Sequence, residues 1–551
     1  MKPGKQFLFI PLGGLGEIGM NLALYGYDQS WLMVDCGVTF GDDTTPGIEI
    51  IVPDPAFAVE NASNLVGIVL THAHEDHLGA VPYLWKKLGC PVYATPFAAN
   101  FLRQKLSETG LEKEVPIKIV NPGSCFSLGP FEVEFIPVAH SIPETQALAI
   151  TSKVGTVLHA SDWKLDPSPL VGPLTDRSRL SRVGKKKLIA LMCDSTNIFV
   201  ERKERSEGTL RKSLFKIVED CENQVAITCF ASNVARLETC FRAAEATGRR
   251  VALVGRSMHR IFNTAKECGY LKNCPKIVNE NEIGHLPKRE ILMVVTGSQG
   301  EVRAALAQIA SEVHPKVAME KGDTVIFSSR EIPGNERAIG RLKNQLAKLG
   351  ISVISENDAF VHVSGHPTRE EIKEFYSWIN PPVLVPIHGE TRHLIEHCRF
   401  AEECGIPSTA LVENGQIIKL NSDGAECIGE VVTGRYAIDG RRLLDLNGDV
   451  IRARRRMTYS GVAVATVVLD NLGNLTANPQ LSAPGIVDGA ELDERIHSAA
   501  VSAIIEGIGK LTKNARLDDE KVSVAANNAV RRVIREIVGR RPQIEIHLVR
   551  L

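Results

Sequence analysis

The sequence predicts an α/β protein of several domains. A chain of 551 residues is too long for one hydrophobic core and suggests about three domains. In the first 205 or so residues, apolar strand-like runs repeatedly end in an ionisable residue. Residues 224–356 alternate strand-like and helix-like patterns, and the pattern changes again after residue 450. We therefore expect a cleft of ionisable residues, an inserted parallel sheet and a small α/β tail.

Six apolar runs in the chain are followed by a side chain that can bind metal. The runs are 31–34 before Asp35, 65–70 before His72, 131–138 before His140, 156–159 before Asp162, 188–193 before Asp194 and 382–387 before His388. A single aspartate after a strand is usually a turn former. Strands that end at the same edge of a sheet, however, bring such residues into one cleft even when they are far apart in sequence.

The segment 72–77 contains three histidines, one glutamate and one aspartate. These side chains pack badly in an apolar core, whereas neutral imidazole and carboxylate are the usual ligands of zinc. The alternative is a polar surface loop that happens to be rich in histidine. Because the segment follows the apolar run 65–70, we expect it to be a loop that leaves a buried strand.

The middle of the chain predicts an inserted domain. Strands are expected at 224–230, 250–254, 290–295 and 324–327, with helices at 234–246 and 258–268 and after each of the last two strands. This alternation predicts a parallel sheet covered on both faces. Ligand-type residues resume at His366 and His388, with a helix after Thr391. A pattern that pauses and resumes indicates one domain inserted in another.

The tail predicts a small α/β domain without a chemical motif. A strand at 462–469 leads into a turn at 471–474, followed by helices at 491–511 and 518–538 and a last strand at 544–549.

Composition describes an ordinary globular protein, with 44% hydrophobic residues and a mean hydropathy of −0.03. Residues 1–5 precede only a short apolar stretch, so no signal peptide is expected, and no apolar run approaches the roughly twenty residues that span a bilayer. Twelve cysteines without CxxC pairs predict reduced, mostly buried thiols in a cytosolic protein.

The net charge of −1 does not by itself indicate a nucleic-acid-binding protein. Local basic runs occur at 202–205, 211–212, 249–250, 441–442 and 452–456. Taken singly, each is more typical of a solvated surface than of a phosphate contact. Several of them along one channel would bind a polyanion with salt-sensitive affinity.

The motifs in their chain order resemble those of a known family. Asp35, 72–77, His140 and Asp162 resemble the motifs of hydrolases with the metallo-β-lactamase fold, and Asp194, His366 and His388 resemble the three further motifs of the β-CASP nucleases. Segments 11–19, 230–233, 296–301 and 332–336 are similar to the ribonuclease J family within that group.

The resemblance implies a specific architecture. It is an α/β fold, a metallo-β-lactamase αββα sandwich with an inserted β-CASP parallel α/β domain and a small α/β C-terminal domain. The expected boundaries are 1–205 and 361–450 for the two parts of the core, the second with a linker, 206–360 for the insertion and 451–551 for the tail.

The resemblance also implies two divalent metal ions per chain. One would be held by His72, His74 and His140, and the other by Asp76, His77 and His388, with Asp162 bridging both. Zinc suits this donor set best, with Mn²⁺ or Mg²⁺ as alternatives. Two such ions can activate water and stabilise the charge on the attacking and leaving oxygens of a phosphodiester.

Further roles follow from the same motifs. Asp35 would orient the ligands of the histidine-rich segment through hydrogen bonds. His366 would bind phosphate or donate a proton to the leaving 3′ oxygen, and Asp194 would position it, so that Asp76, His366 and Asp194 form the expected catalytic set.

A pocket for the 5′ end of RNA is implied as well. Its expected members are Ser232, Asn233, Ser364, Gly365 and His366, whose hydroxyl, amide, backbone N–H and imidazole groups can hold a monophosphate. For Ser232 and Ser364 the alternative is ordinary capping or turn chemistry.

The expected function is therefore hydrolysis of single-stranded RNA, 5′→3′ from monophosphorylated ends with endonuclease activity in addition, in rRNA processing and mRNA decay. A cytoplasmic homodimer or homotetramer is expected, with other RNA-decay proteins as partners and no membrane association.

Four alternatives are weighed against this expectation. A small-molecule hydrolase of this fold would lack the insertion and His366. A DNA-processing β-CASP nuclease would typically carry valine at the position of His388. A catalytically silent RNA-binding scaffold would have lost ligands, and every expected ligand is present. A dinucleotide site at Gly14, Gly16 and Gly19 lacks a convincing acidic partner for the ribose, and the resemblance makes this segment a tight turn beside the active site.

Overall fold

The structure, a computed structural model, describes residues 2–202, 205–332 and 334–551. Met1 of the segment 1–5, Lys203 and Glu204 of the basic run 202–205, and Pro333 of the motif 332–336 lie outside the described residues. The chain divides into two compact units, which are Met1–Thr39 with Val52–Gly434, and Phe40–Ile51 with Arg435–Leu551.

Two sheets face each other in the first unit. The eight-stranded sheet has the order Gly424–Glu430, Gln416–Asn421, Phe7–Gly13, Leu22–Tyr27, Ser30–Val34, Leu65–Val69, Val92–Ala94 and Ile117–Ile119. The seven-stranded sheet has the order Cys125–Leu128, Phe131–Pro137, Gln146–Thr151, Thr156–His159, Leu188–Asp194, Val383–Ile387 and Ser408–Thr409. Phe7, Phe9 and Tyr25 from one sheet and Phe131 and Phe135 from the other share one buried apolar cluster, which is the core of the sandwich.

Helices cover the outer faces of both sheets. Arg177–Lys185, Arg369–Ile379 and Thr391–Glu403 bury Leu180, Phe375 and Phe400 in a second cluster with the seven-stranded sheet. Ala56–Glu60, Val81–Leu88 and Pro96–Thr109 belong to the other side, and Pro96–Thr109 contacts the last two strands of the eight-stranded sheet. The predicted αββα sandwich is confirmed.

Parallel pairing brings the predicted strand ends to common edges. Ser30–Val34 runs parallel to Leu65–Val69, and Thr156–His159, Leu188–Asp194 and Val383–Ile387 run parallel to one another. The residues that follow these strands therefore lie at the same edge of each sheet, where the carboxyl ends of the strands meet. The expectation of a loop throughout 72–77 is wrong in part, because Glu75–Leu78 forms a helical turn that uses acidic residues near its N-terminus.

The inserted segment forms its own six-stranded sheet. Its order is Ile277–Val278, Arg250–Val254, Ile291–Val295, Val225–Thr228, Thr324–Phe327 and Ser352–Ile354, and every pairing is parallel. The helices are Glu207–Glu219, Val234–Ala246, Arg256–Glu267, Ala305–Ala310 and Glu336–Lys348, with the 3₁₀ turns Glu280–His285 and Lys288–Glu290. The predicted parallel α/β sheet is confirmed, whereas all the expected domain boundaries, 1–205, 206–360, 361–450 and 451–551, stay predictions.

Two small sheets lie within the second unit or at its boundaries along the chain. One has the order Arg442–Asp445, Arg435–Asp439, Ile50–Pro53 and Thr39–Phe40. The other has the order Gln480–Ser482, Val462–Leu469 and Gln543–Arg550, with the helices Asp449–Ser460, Ala490–Gly509, Lys513–Arg516 and Asp519–Val538. Alternate residues of Val462–Leu469 join one apolar cluster with the two long helices, as the predicted strand and helices require.

Short elements complete the chain. They are the 3₁₀ turn Ala62–Asn64 and the parallel pair Leu15–Gly16 with Gly389–Glu390. Within the described ranges, no helix combines the length and apolar character needed to cross a membrane. All twelve cysteines are free, but only five of them are buried, so the expectation of mostly buried thiols is wrong.

Candidate metal centre

Three groups of ligand-type atoms converge at the strand ends. They are His72, His74, His140 and Asp162; Asp76, His77, Asp162 and His388; and Asp162, Asp194, His366 and His388. Within each group the facing atoms all lie within 4.8 Å of one another. Asp162 belongs to all three groups, so it is the common carboxylate of the site.

The first group has the spacing of a metal-binding cluster. Nδ1 of His74 lies 3.0 Å from Nε2 of His72 and 3.1 Å from Nε2 of His140. Oδ2 of Asp162 lies 3.7 Å from each of the latter two nitrogens. Ligands of a tetrahedral zinc ion at about 2.05 Å would be about 3.3 Å apart. The observed separations bracket that value, so one ion fits among these four side chains.

Hydrogen bonds on the far side of the rings point the lone pairs inward. Nδ1–H of His140 donates to the Gly365 carbonyl at 2.7 Å, which leaves Nε2 unprotonated towards the cluster. Nδ1 of His72 lies 3.0 Å from the Thr71 hydroxyl on its far side. A Cβ at Gly365 would lie 2.7 Å from Cε1 of His140, so this position needs glycine for the ring and the backbone to approach.

Asp35 supports the second group from behind. Its Oδ2 lies 2.7 Å from Nδ1 of His77, while the backbone N–H and the hydroxyl of Thr71 donate to the same carboxylate. The other nitrogen of His77 then faces Asp162 Oδ2 at 3.3 Å and Asp76 Oδ2 at 3.5 Å. Asp35 therefore contacts the His77 ring on the side away from Asp162 and Asp76.

His388 closes the second group from a distant part of the chain. Its Nε2 lies 3.1 Å from Asp76 Oδ2, and its Nδ1 lies 2.8 Å from the Thr196 hydroxyl. The backbone N–H of His388 donates to the Gly14 carbonyl at 3.0 Å. The glycine-rich segment 13–19 thus lies beside the site, and a Cβ at Gly19 would lie 3.4 Å from Cβ of Asp76.

His366 is held by Asp194 at the margin of the cluster. Its Nδ1 lies 2.7 Å from Asp194 Oδ2, and its side chain is 22% exposed, in contrast to the buried rings. Asn197 supports the same segment by donating to Ser364 Oγ at 2.8 Å and to the His366 carbonyl at 2.9 Å. Arg330 from the inserted segment donates to Asn197 Oδ1 at 2.9 Å.

The electrostatics separate neutral from charged groups. Burial, together with neighbouring histidines, holds the pKa values of His72 and His140 well below the ordinary range and lowers the pKa of His74 to about 4. Burial alone would raise the pKa of Asp162, but His388 and His77 hold it well below its usual range. Although burial opposes it, Asp162 in turn raises the pKa values of His77 and His388 well above the ordinary range. The neutral imidazoles are therefore those of the first group, and beside an ionised carboxylate they form the donor set of a divalent cation.

One carboxylate oxygen of Asp162 lacks a hydrogen-bond donor among the described residues. Its side chain is buried, and among the described residues its Oδ1 has no hydrogen-bond partner. A buried ionised oxygen without a partner is costly unless a cation neutralises it. The donor set therefore fits divalent metal.

Three residues in or next to the site have strained backbone conformations. Asp35, Ser161 and His388 have φ values of 60°, 56° and 53°, in the left-handed region that non-glycine residues rarely adopt. Such conformations cost of the order of 1–3 kcal/mol each and persist where the surroundings enforce them. These three conformations lower the stability of the fold, and they set the directions in which the side chains point.

The residues expected at the RNA pocket have identifiable contacts. Asn233 Oδ1 accepts from the Arg236 N–H at the start of the helix Val234–Ala246, and so acts as its N-cap. Ser364 Oγ accepts from Asn197 and, at 3.2 Å, from the His366 N–H. Ser232 is half-buried.

Several supporting residues were not anticipated from the sequence. Asn21, Thr71 and Thr196 contact His77, Asp35 and His388 respectively, and Asn197 and Arg330 support the His366 segment. Thr71, Thr196 and Asn197 adjoin predicted motifs, and that proximity was the available signal. Asn21 and Arg330 are polar residues in ordinary surroundings, so nothing in the sequence distinguished them.

Four protein-family models match the chain. They are a β-lactamase superfamily domain at residues 30–178, a ribonuclease J β-CASP domain at 222–346, a Zn-dependent metallo-hydrolase RNA specificity domain at 334–411 and a ribonuclease J C-terminal domain at 449–551.

Full-length relatives agree with these matches. The chain is 41% identical to a ribonuclease J of Sinorhizobium meliloti, over 100% of this chain and 98% of that protein. It is 34% identical to a ribonuclease J 1 of Streptococcus pyogenes, over 99% and 97% of the two chains. The ribonuclease J of Thermus thermophilus is 32% identical, over 98% and 95%.

A solved structure shares the fold. It is a protein of unknown function from Enterococcus faecalis, with a TM-score of 0.53 and 18% identity, covering 75% of this chain and all of the other. Four family models match most of the chain, and one relative is 41% identical over all of it. The structure adds a His/Asp centre that suits divalent metal. The chain belongs to the ribonuclease J family and is a metal-dependent ribonuclease, a hydrolase of the metallo-β-lactamase superfamily that binds RNA.

Proposed function

We propose that the chain holds two zinc ions and degrades single-stranded RNA from its 5′ end. The observation that carries this proposal is the pair of four-residue groups that share Asp162. His72, His74 and His140 would hold one ion, and Asp76, His77 and His388 the other, with Asp162 between them. Three imidazoles favour zinc in the first group, while the oxygen-richer second group also suits Mn²⁺ or Mg²⁺.

When bound, two such ions supply a nucleophile from water and stabilise the charge that develops on a phosphodiester. The protein orients the groups around the scissile bond. Asp35 fixes the His77 ring, and Gly365 fixes the His140 ring, through their Nδ1 atoms. Both rings then present Nε2 without reorganisation at the moment of reaction.

His366 is the proposed proton donor to the leaving 3′ oxygen. Burial opposes its protonation, but Asp194 and Asp162 raise its pKa above the ordinary value, so a proton is available near neutral pH. Asp194 holds Nδ1, which leaves Nε2 as the atom that can face substrate. Asp76, itself one of the proposed metal ligands, completes the proposed catalytic set with His366 and Asp194.

A 5′-monophosphate would bind at Ser364, Gly365 and His366, with Ser232 and Asn233 contributing from the inserted segment. The Oδ1 of Asn233 already caps a helix, so its Nδ2 is the group that could donate to phosphate. Hydroxyl and amide donors of this kind favour a compact monophosphate over a larger and more negative triphosphate. This preference supports 5′→3′ polarity, with internal cleavage as a second activity.

The cellular setting is proposed on chemical grounds. Twelve free thiols suit a reducing cytoplasm, where the protein would act in rRNA processing and mRNA decay. A homodimer or homotetramer with other RNA-decay proteins as partners belongs to the same proposal.

Digestion of one RNA in four forms tests the proposal. The RNA carries a 5′-monophosphate or a 5′-triphosphate and a label at either end, and each form is incubated with and without chelator. We expect chelator-sensitive release of mononucleotides from the monophosphate form. Internal fragments that are indifferent to the 5′ end would reject the pocket and the polarity. No cleavage with added zinc, manganese or magnesium would favour a silent scaffold, and cleavage confined to DNA would favour a DNA-processing nuclease.

The variant His77→Ala tests the metal assignment. We expect cleavage to fall by at least about 10²-fold while the fold is retained, because a ligand is lost from a preformed cleft. The matched control is His259→Ala, whose side chain is 45% exposed on the inserted segment. Zinc content is measured beside activity, and wild-type turnover in His77→Ala would reject the two-metal assignment.

A further inference from the structure

A buried hydrogen-bond chain joins the three segments that carry Asp194, His366 and His388. Its centre is His397, a fully buried residue of the helix Thr391–Glu403. Its Nδ1 lies 2.8 Å from the Ser195 hydroxyl, and its Nε2 lies 2.7 Å from the Tyr376 hydroxyl. Ser195 and Tyr376 are also buried, so the chain is shielded from solvent and from substrate.

Each member of this chain is tied to one segment of the site. Ser195 lies between Asp194, which holds His366, and Thr196, which contacts His388. Tyr376 belongs to the helix Arg369–Ile379, which begins three residues after His366. The helix of His397 begins three residues after His388. One imidazole therefore connects all three segments.

The protonation pattern explains why this position needs a histidine. Burial lowers the pKa of His397 to about 3, so the ring is neutral and carries a single N–H. Ser195 Oγ donates to the Cys193 carbonyl at 3.4 Å, and can therefore accept from Nδ1–H of His397. The Tyr376 hydroxyl then donates to Nε2. A neutral imidazole donates at one nitrogen and accepts at the other, which satisfies both neighbours.

Close packing transmits any movement of Ser195. Its backbone N–H donates to the Ile387 carbonyl at 3.0 Å, one residue before His388. A Cβ at Gly389 would lie 3.1 Å from Cβ of Ser195, so there is little free space between these segments. A shift of the Ser195 backbone would therefore displace the adjoining Asp194 and Thr196.

We propose that His397 is a positioning residue of the metal centre. Together with Tyr376 and Ser195, it sets the orientation of Asp194 and Thr196, and through them the His366 and His388 rings. The proposal rests on the proposed function for its kinetic readout only. Since His397 is buried behind the site and does not face RNA, its loss acts on kcat and on metal affinity, and leaves KM unchanged.

Two conservative substitutions and their combination test this proposal. Tyr376→Phe removes one donor and Ser195→Ala removes one acceptor, each with little change of volume. Support for a metal site from behind is typically worth 10–100-fold, so each variant should lower kcat and zinc affinity by about 10-fold. Because both substitutions break the same chain, the double variant should resemble the more damaged single variant rather than their product.

The matched control removes a hydroxyl contact that lies away from the site. Thr151→Val breaks the 2.9 Å hydroxyl contact with Thr156, at the opposite end of the two strands from His159. It should leave kcat and zinc affinity at wild-type values. Zinc affinity is measured by competition with a chromophoric chelator, and unfolding by urea titration.

Two outcomes would overturn the proposal. One is a loss of unfolding free energy in Tyr376→Phe and Ser195→Ala with wild-type kcat and zinc affinity, which would make the chain merely structural. The other is a double variant whose effects multiply. Failure of the wild-type protein to cleave RNA would reject the proposed function instead, and the zinc-affinity comparison would still decide the role of His397. If Ser195→Ala does not fold, Tyr376→Phe carries the test alone.

Discussion

At the residue scale, three histidines of the site already use one ring nitrogen in a contact with a protein oxygen. His77, His140 and His366 each use Nδ1 on Asp35, Gly365 and Asp194 respectively. The remaining nitrogen therefore has a fixed direction before any ligand arrives. This pre-orientation requires small residues where backbone and ring approach, and Gly365 is the clearest case.

Gly365→Ala should weaken metal binding without unfolding the protein. The added Cβ would lie 2.7 Å from Cε1 and 2.9 Å from Nδ1 of His140, so that ring must move. We expect zinc affinity to fall by about 10-fold or more, by analogy with other supporting contacts of metal ligands. Chelator competition measures the effect, and Gly284→Ala is the control, because a Cβ there meets nothing within 4 Å. Equal zinc affinity in the two variants would contradict the expectation.

His397 should make the stability of the protein sensitive to acid. Its pKa is about 3 in the folded chain and about 6.5 when unfolded, so the unfolded state binds the extra proton below pH ~6.5. The stability linked to this group is complete above that pH and is lost as the pH falls towards 3.

The corresponding test compares His397→Gln with wild type. Between about pH 4 and 6, the slope of unfolding free energy against pH should be shallower in the variant by up to about 1.4 kcal/mol per pH unit. Urea titrations in chelator at several pH values measure the slope. Parallel curves for the two proteins would show that His397 is protonated equally in both states.

At the element scale, one buried arginine joins the inserted segment to the chain that returns to the site. Arg236, in the helix Val234–Ala246, donates to the carbonyls of Ser328 at 2.6 Å and Val361 at 3.4 Å. It also lies 3.4 Å from Glu207, which in turn lies 3.6 Å from Lys164, two residues after Asp162. The guanidinium of Arg236 therefore links its own helix to the residue that follows the strand Thr324–Phe327 and to the segment that leads back to His366.

Arg236→Met should be strongly destabilising. Removing Arg236 from this buried charge network leaves Lys164 as the remaining cation near Glu207 and takes the donor from the Ser328 carbonyl. Breaking a buried ionic network typically costs about 3–5 kcal/mol. Arg236→Lys keeps the charge without the planar fork and should lose less. Urea unfolding measures both, and a loss below about 1 kcal/mol in Arg236→Met would show that solvent replaces the guanidinium.

At the scale of the whole molecule, the tail has a core of its own. Its apolar cluster draws only on residues 463–548, from the sheet Val462–Leu469 with its neighbours and the helices Ala490–Gly509 and Asp519–Val538. A domain of about 100 residues with a closed core generally folds independently.

The fragment 449–551 should therefore unfold cooperatively by itself. Circular dichroism on heating should show a single transition, and the helical signal should match Asp449–Ser460, Lys513–Arg516 and the two long helices. The control is Ile504→Asp within the same fragment, which places a charge at a fully buried position and should abolish the transition. A non-cooperative melt of the unsubstituted fragment would contradict an independent core.

The sequence predicted most elements because their patterns are local. The helix expected at 234–246 is observed at Val234–Ala246, and the strand expected at 462–469 at Val462–Leu469. The loop expected at 72–77 failed at Glu75–Leu78 because tertiary contacts stabilise a helical turn too short to show periodicity. Burial of the cysteines was overestimated, because a thiol in a strand or helix can face either side.

The sequence by itself determined which residues could bind metal. Histidines and aspartates that follow strand-like apolar runs can be recognised in the sequence without a structure. Only the tertiary structure decided which nitrogen of each ring faces the centre, and that Asp162 also belongs to a third group with Asp194, His366 and His388. It also decided that Asn21 lies 3.1 Å from Nε2 of His77, and that Arg330 and His397 lie behind the site. These contacts join positions up to hundreds of residues apart, and no local pattern encodes the direction of a side chain across such a separation.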